Sequence, residues 1–292
     1  MHIMMQTAAV FTGAAVIKVD LPPPDAETLP GVPWGAVEAF PTPAYWTYQV
    51  IARRICGTPI RYRLGSTLAE EVAACLLGGH GIPAAVGVAA FQKLRSCGAL
   101  QGTPTEAQIG ELLSEPLDID GRHIRYRFAR QKARYLSAAL ARLSVEQPPL
   151  TSGRALRDWL IQLPGVGFKT ASWVARNWLD ADDGAILDIH ILRAGALARF
   201  FDEDMSVERN YLELEERFLR FSKAIGVRAS ELDAVMWHEM MSSPRTITQL
   251  MGGSRNGVRL SETAMAPVSD LPLVRRRPHK GRSDPRQARL IE

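Results

Sequence analysis

Cysteine is scarce: the 292-residue chain holds three, Cys56, Cys75 and Cys97, with no metal-ligand spacing among them. They cannot supply the four thiolates of an iron–sulfur cluster. An odd, sparse set suits a reducing compartment, with small buried thiols as the plain reading. Long apolar runs are also lacking: no stretch of about 18 uncharged apolar residues occurs, which disfavours a membrane-spanning helix. The apolar start, Met1 to Ile17, has no Lys or Arg before it and no convincing cleavage site, which disfavours a secretory signal. Strand alternation does not persist beyond the first twenty residues, and no period repeats.

Charge is present in ordinary amount but unevenly placed. The net charge is +4 and the pI near 9.1, compatible with a nucleic-acid partner without requiring one. From Arg245 onward ten Lys and Arg face four acids, so this end carries +6 and the remainder −2. Such a tail is a solvated, partly disordered segment or a phosphate-binding arm.

Residues 1–40 form an extended N-terminal arm. A β-like run, Ala14 to Val19, is followed by Leu21-Pro-Pro-Pro24, which stops regular structure. From 41 to 243 apolar residues recur at three- and four-residue spacing. They predict helices over 45–56, 66–78, 83–96, 126–143, 154–163, 168–179, 187–200, 207–225 and 230–241. Ser66 or Thr67, and Ser206, are expected N-caps. The core is all-α, and 244–292 is the basic tail.

The chemistry concentrates in Leu160-Ile-Gln-Leu-Pro-Gly-Val-Gly-Phe-Lys169-Thr-Ala-Ser. One helix runs into Leu163-Pro-Gly-Val-Gly167 and another leaves from Phe168, so 161–169 reads as a helical hairpin. Gly165 and Gly167 permit the reversal and remove side chains that would hold a phosphate away. Amides around Gly165, Val166 and Gly167 at the second helix's positive end could grip a DNA phosphate without reading sequence. An ordinary helix–turn–helix corner fits the pentapeptide as well. A nucleotide-binding phosphate loop does not, because Phe168 separates Gly167 from Lys169 and a helix, not a strand, precedes the turn.

Lys169 falls in the first turn of that second helix, where the helix dipole disfavours a cation and so favours the neutral amine a nucleophile needs. A solvated lysine is the plain alternative. Nineteen residues on, in Ala185-Ile-Leu-Asp188-Ile-His-Ile-Leu-Arg-Ala194, a lone carboxylate interrupts an apolar run where the next helix begins. Asp188 can cap that helix and also act chemically. One helix and a return loop would bring both side chains to one cleft.

Hairpin, lysine and Asp-x-His together resemble the helix-hairpin-helix/Gly-Pro-Asp superfamily of base-excision glycosylases. Lys169-Thr-Ala-Ser, Arg176-Asn177 and Ala185-Ile-Leu-Asp-x-His-Ile-Leu-Arg193 resemble more narrowly its type-2 8-oxoguanine DNA glycosylase/AP lyases. Arg125-Tyr-Arg-Phe128, Lys132-Ala133 and Leu232-Asp-Ala-Val-Met-Trp237 add to the likeness, which spans about residues 65–241. The absence of a cysteine cluster agrees with this branch. The resemblance implies a two-lobed helical fold with the hairpin and Lys169 lining the cleft. It implies a cytoplasmic, nucleoid-associated monomer that removes an oxidised purine flipped from double-stranded DNA. Lys169 would attack the sugar and form a Schiff base, and Asp188 would handle protons and stabilise the cationic sugar. The carbonyls of Ile161, Leu163 and Val166 match the family's monovalent-cation site, a structural K⁺ or Na⁺, and no cofactor is required. Trp237 is the candidate for stacking on the flipped base, or equally a core tryptophan. A glycosylase for another modified base, used in defence against foreign DNA, and a non-catalytic DNA-binding module are the alternative readings. Retention of both Lys169 and Asp188 counts against the module.

Overall fold

The computed structural model describes residues 5–57, 63–79 and 81–253. Eleven helices lie among these residues, and their caps explain most of their starts. Helix α1 (Pro43–Ile55) begins with proline behind Thr42, whose hydroxyl accepts the Tyr45 amide at 3.1 Å. Thr67 caps α2 (Leu68–Leu77) in the same way. Helix α3 (Ala84–Ser96) follows Pro83. Helix α4 (Glu106–Ser114) starts from a capping box between Thr105 and Gln108. Then come α5 (Ala129–Val145), α6 (Gly153–Leu160), α7 (Phe168–Leu179), α8 (Ile189–Leu197), α9 (Val207–Ala224), α10 (Ala229–Ser242) and α11 (Pro244–Gly253).

Two separate apolar cores organise the helices. Helices α2 to α7 surround one, with Leu76, Phe91, Leu94, Ile109, Leu136, Leu156 and Leu160 fully buried. Helices α1 and α8 to α11 surround the other, built on Trp46, Leu214, Phe218, Phe221, Leu232 and Met236. The expected two lobes are therefore real, and the chain crosses between them after α1 and again after α7. The second crossing, residues 180–188, separates Lys169 from Asp188.

The N-terminal arm is more regular than its prolines suggest. Strands β1 (Gln6–Phe11) and β2 (Val16–Leu21) pair antiparallel, and β3 (Glu27–Leu29) pairs with β4 (Val32–Pro33). Val10, Val19, Leu21, Val32 and Trp34 are buried in the core shared with α1, and the Tyr48 hydroxyl donates to the Ala9 carbonyl at 2.7 Å. The arm thus completes the second lobe. Another hairpin, β5 (Leu117–Ile119) with β6 (Arg122–Ile124), turns through Asp120-Gly121, both at positive φ.

Several expectations need correction. Helix α4, its start signalled by the Thr105-x-x-Gln108 box, was not predicted, nor was the β5–β6 hairpin. Helix α5 starts three residues later than its periodicity suggests, because a turn at Arg127-Phe128 precedes it. Ser206 does precede α9, but its hydroxyl accepts from Arg209 Nε at 3.1 Å rather than from a helix amide. Of the three cysteines only Cys75 is buried. Where the tail was expected to begin, α11 continues the second lobe and buries Ile247. The tail's basic run, Arg275 to Arg277, lies outside the described residues. No helix of the described chain is long and apolar enough to cross a membrane.

Candidate active site

The hairpin is built by α6 and α7. Ser152 starts α6 by accepting the Ala155 amide at 3.0 Å; α6 ends at Ile161, whose amide donates to Arg157 at 3.0 Å. The turn closes through Leu163 to Leu160 at 2.9 Å and Val166 to Leu163 at 3.2 Å. Gly165 has φ +76°, and a Cβ there would lie 2.1 Å from Cδ2 of Tyr135, so both conformation and space demand glycine. Gly167 differs: its φ is ordinary, and a Cβ would meet nothing within 4 Å. It precedes α7 as an N-cap without a side-chain hydrogen bond, leaving the first-turn amides of α7 uncapped beside open space. Of the amides expected to face a phosphate, that of Val166 is already used inside the turn. The Val166 side chain is buried in the first lobe's core.

Lys169, second residue of α7, and Asp188, the N-cap of α8, meet. Lys169 Nζ donates to Asp188 Oδ2 at 3.1 Å. The other oxygen, Oδ1, accepts the amides of His190 at 2.8 Å and Ile191 at 3.2 Å. Capping and pairing thus divide the carboxylate between them. The Asp188 side chain is 9% exposed and that of Lys169 41%, so the amine stands at the mouth of the site and the carboxylate at its floor.

Beside the pair lies His190, whose imidazole burial holds below its ordinary pKa; Arg193 and Lys169 act in the same sense and Asp188 opposes them. Its ring meets Trp237 edge to face, centroids 6.3 Å apart. Trp237 is half-buried against the second lobe's core. A cavity of about 510 Å³ opens between the start of α7 and the first turns of α9. Gly167, Phe168, Lys169, Asn210 and Tyr211 line it; Trp237 does not. Asn210 marks a kink in α9, at φ −122° and ψ 25°.

The sequence reading missed the groups that hold this geometry. Tyr211 and Glu215 on α9, and Asp233 on α10, are buried polar residues facing the segment that leads to Asp188. Glu215 and Asp233 each interrupt an otherwise apolar helical stripe, the signal that singled out Asp188, whereas Tyr211 belongs to such a stripe.

A family model described as 8-oxoguanine DNA glycosylase matches residues 63–227, more than half of the chain. The chain belongs to that family. The matched span contains the hairpin, Lys169, Asp188, Tyr211 and Glu215, whereas Asp233 and Trp237 lie beyond it. A Methanocaldococcus jannaschii protein named 8-oxoguanine DNA glycosylase/AP lyase is 29% identical over 146 residues, covering 47% of this chain and 70% of that one. A Thermoplasma acidophilum protein of the same name is 36% identical over 85 residues, 28% of this chain and 40% of the relative. The Methanocaldococcus jannaschii enzyme solved with a 15mer DNA containing 8-oxoguanine is 25% identical, with a TM-score of 0.46, over 60% of this chain and 81% of that one. The assignment rests on the family model.

Proposed function

We propose that the chain is a DNA glycosylase with associated AP lyase activity, acting on an oxidised purine of the 8-oxoguanine kind. The observation that carries this reading is the Lys169–Asp188 pair at 3.1 Å, set at the uncapped start of the hairpin's second helix. Family membership supplies the substrate class.

The two side chains have complementary tasks. The unprotonated Lys169 amine attacks the sugar's anomeric carbon; a bond from Nζ to that carbon forms as the bond to the base breaks and the base leaves with the electron pair. Asp188 is within reach to accept the proton the lysine must lose. Until it takes that proton from the newly bonded Nζ, its charge stabilises the cationic sugar as the base departs. The sugar ring then opens: the bond from the anomeric carbon to the ring oxygen breaks, the oxygen takes up a proton, and the adduct becomes a Schiff base. That intermediate acidifies the neighbouring sugar carbon and permits strand cleavage by elimination. The uncapped amides of α7 and the helix dipole favour a DNA phosphate beside the amine.

A monovalent cation at the hairpin fits the residues present. The carbonyl of Leu163 accepts one amide and keeps a second lone pair. Those of Ile161 and Val166 accept no backbone hydrogen bond among the described residues. Such neutral oxygens suit K⁺ or Na⁺, which would add a fixed positive charge at the phosphate site.

The flipped-base partner, the monomeric state and a place on the nucleoid belong to the same proposal. Single-turnover excision on duplexes with one 8-oxoguanine, one other modified purine or no lesion tests it. Release from the 8-oxoguanine duplex with strand cleavage is expected. Release confined to another modified base would reassign the substrate, and binding without release from any duplex would favour the non-catalytic module.

A further inference from the structure

Asp188 sits at the end of an irregular segment, 185–187, that crosses from one lobe to the other. Such segments need partners for their backbone groups. Here side chains supply them at three consecutive residues. The Ala185 amide donates to Glu215 Oε1 at 3.1 Å, the Ile186 amide to Asp233 Oδ2 at 3.4 Å, and the Leu187 amide to the Tyr211 hydroxyl at 3.3 Å. That hydroxyl in turn donates to the Ala185 carbonyl at 2.8 Å.

Each of these three side chains is also tied to the lobe that carries Lys169. Glu215 pairs with Arg157 of α6, and both are buried. Asp233 pairs with Arg176 of α7 at 2.9 Å, and both are largely buried. The Tyr211 ring stacks on Phe168, centroids 5.2 Å apart and planes 18° from parallel. Phe168 immediately precedes Lys169, as Leu187 immediately precedes Asp188. Tyr211 therefore touches the neighbour of each reacting residue.

We propose that Tyr211, Glu215 and Asp233 are positioning residues, a three-point clamp that sets the separation of the Lys169 amine from the Asp188 carboxylate. A stability role alone would not require all three to grip successive amides while reaching the opposite lobe. Buried charges so placed are costly to desolvate and contribute more to geometry than to net stability. The inference rests on the proposed glycosylase reading.

A double-mutant cycle tests the clamp in the full chain. Tyr211→Phe keeps the ring stack and removes both hydrogen bonds; Asp188→Asn removes the charge the clamp positions. Single-turnover excision at saturating enzyme should fall at least tenfold in Tyr211→Phe, with duplex affinity within threefold. In the Asp188→Asn background the same substitution should lower the rate less than threefold, because its effect runs through that carboxylate. Equal factors in both backgrounds, or affinity and thermal midpoint falling together with the rate, would overturn the clamp. Should Tyr211→Phe fail to fold, Asp233→Asn takes its place in the cycle. Should Asp188→Asn leave no measurable rate, hydrogen exchange decides. Faster exchange confined to the amides of Ala185, Ile186 and Leu187 supports the clamp, and unchanged exchange there overturns it. Wild-type excision is the control: its absence defeats the proposed function, whereas additivity in its presence defeats the clamp alone.

Discussion

Gly165 and Tyr135 occupy the same space to within one carbon atom: a Cβ on the glycine would stand 2.1 Å from the tyrosine ring. The hairpin turn is thereby locked against α5 at a residue whose φ of +76° already favours glycine. Gly167, two residues on, has neither constraint.

The two glycines should therefore respond differently to alanine. Gly165→Ala forces a left-handed alanine and displaces Tyr135, costing on the order of 1–3 kcal/mol of stability. Gly167→Ala should leave the thermal midpoint within about a degree, since a stability change near zero moves it little. It should still weaken binding to damaged and undamaged duplexes alike, because a methyl group then stands where a phosphate would approach. Thermal melts and duplex titrations distinguish the two. Equal destabilisation by both substitutions would contradict this account of the turn.

Asp188→Asn keeps the side chain's size and one capping oxygen while removing its charge. Excision should fall by about a hundredfold or more, as for loss of one charge-stabilising group. Duplex affinity should stay within about tenfold, roughly 1.4 kcal/mol. Excision rates beside direct binding isotherms check this; matching losses of affinity and thermal stability would make Asp188 a structural cap.

A pH dependence follows from Asp233. Burial pushes its carboxyl up to about 6, with Asp188 and Asp182 acting in the same direction and Arg176 and the Ile186 amide opposing. Between about pH 4 and 6 the folded protein keeps a proton that the unfolded chain loses, so this group's contribution to stability declines as pH rises through that window. Asp233→Asn has no such titration. The wild type should thus lose stability relative to the variant from pH 4 to 6 and hold a constant difference above pH 7. A difference independent of pH across that range would show that Asp233 is ionised throughout.

The charge of +6 from Arg245 onward carries its own expectation. Each phosphate neutralised steepens the dependence of affinity on salt by about 0.9 log units per log unit. Deleting residues 273–292 should flatten the slope measured by duplex titration between low and physiological salt. An unchanged slope would mean that this stretch does not contact DNA.

Local signals made much of this legible in the sequence. Lys169 and Asp188 stood out because a charge in a first helical turn and a carboxylate in an apolar run each need a reason. Their meeting across 19 residues followed from one helix and one loop. The division into lobes depended on contacts between distant segments that periodicity does not encode. The clamp was hidden for the same reason. Tyr211, Glu215 and Asp233 acquire meaning only when α9 and α10 fold against residues 185–187, since no spacing rule links them to the loop they hold.

The central claim is that Lys169 is the nucleophile, and borohydride trapping measures it most directly. Borohydride reduces a Schiff base to a stable amine, so enzyme and DNA become covalently joined only if an amine has attacked the sugar. The wild type should crosslink to an abasic or 8-oxoguanine duplex, with the reduced adduct mapping to Lys169. Lys169→Gln should lose both trapping and base release while remaining folded. A Lys169→Gln protein that crosslinks as efficiently as the wild type would contradict the assignment and place the reacting amine elsewhere in the chain.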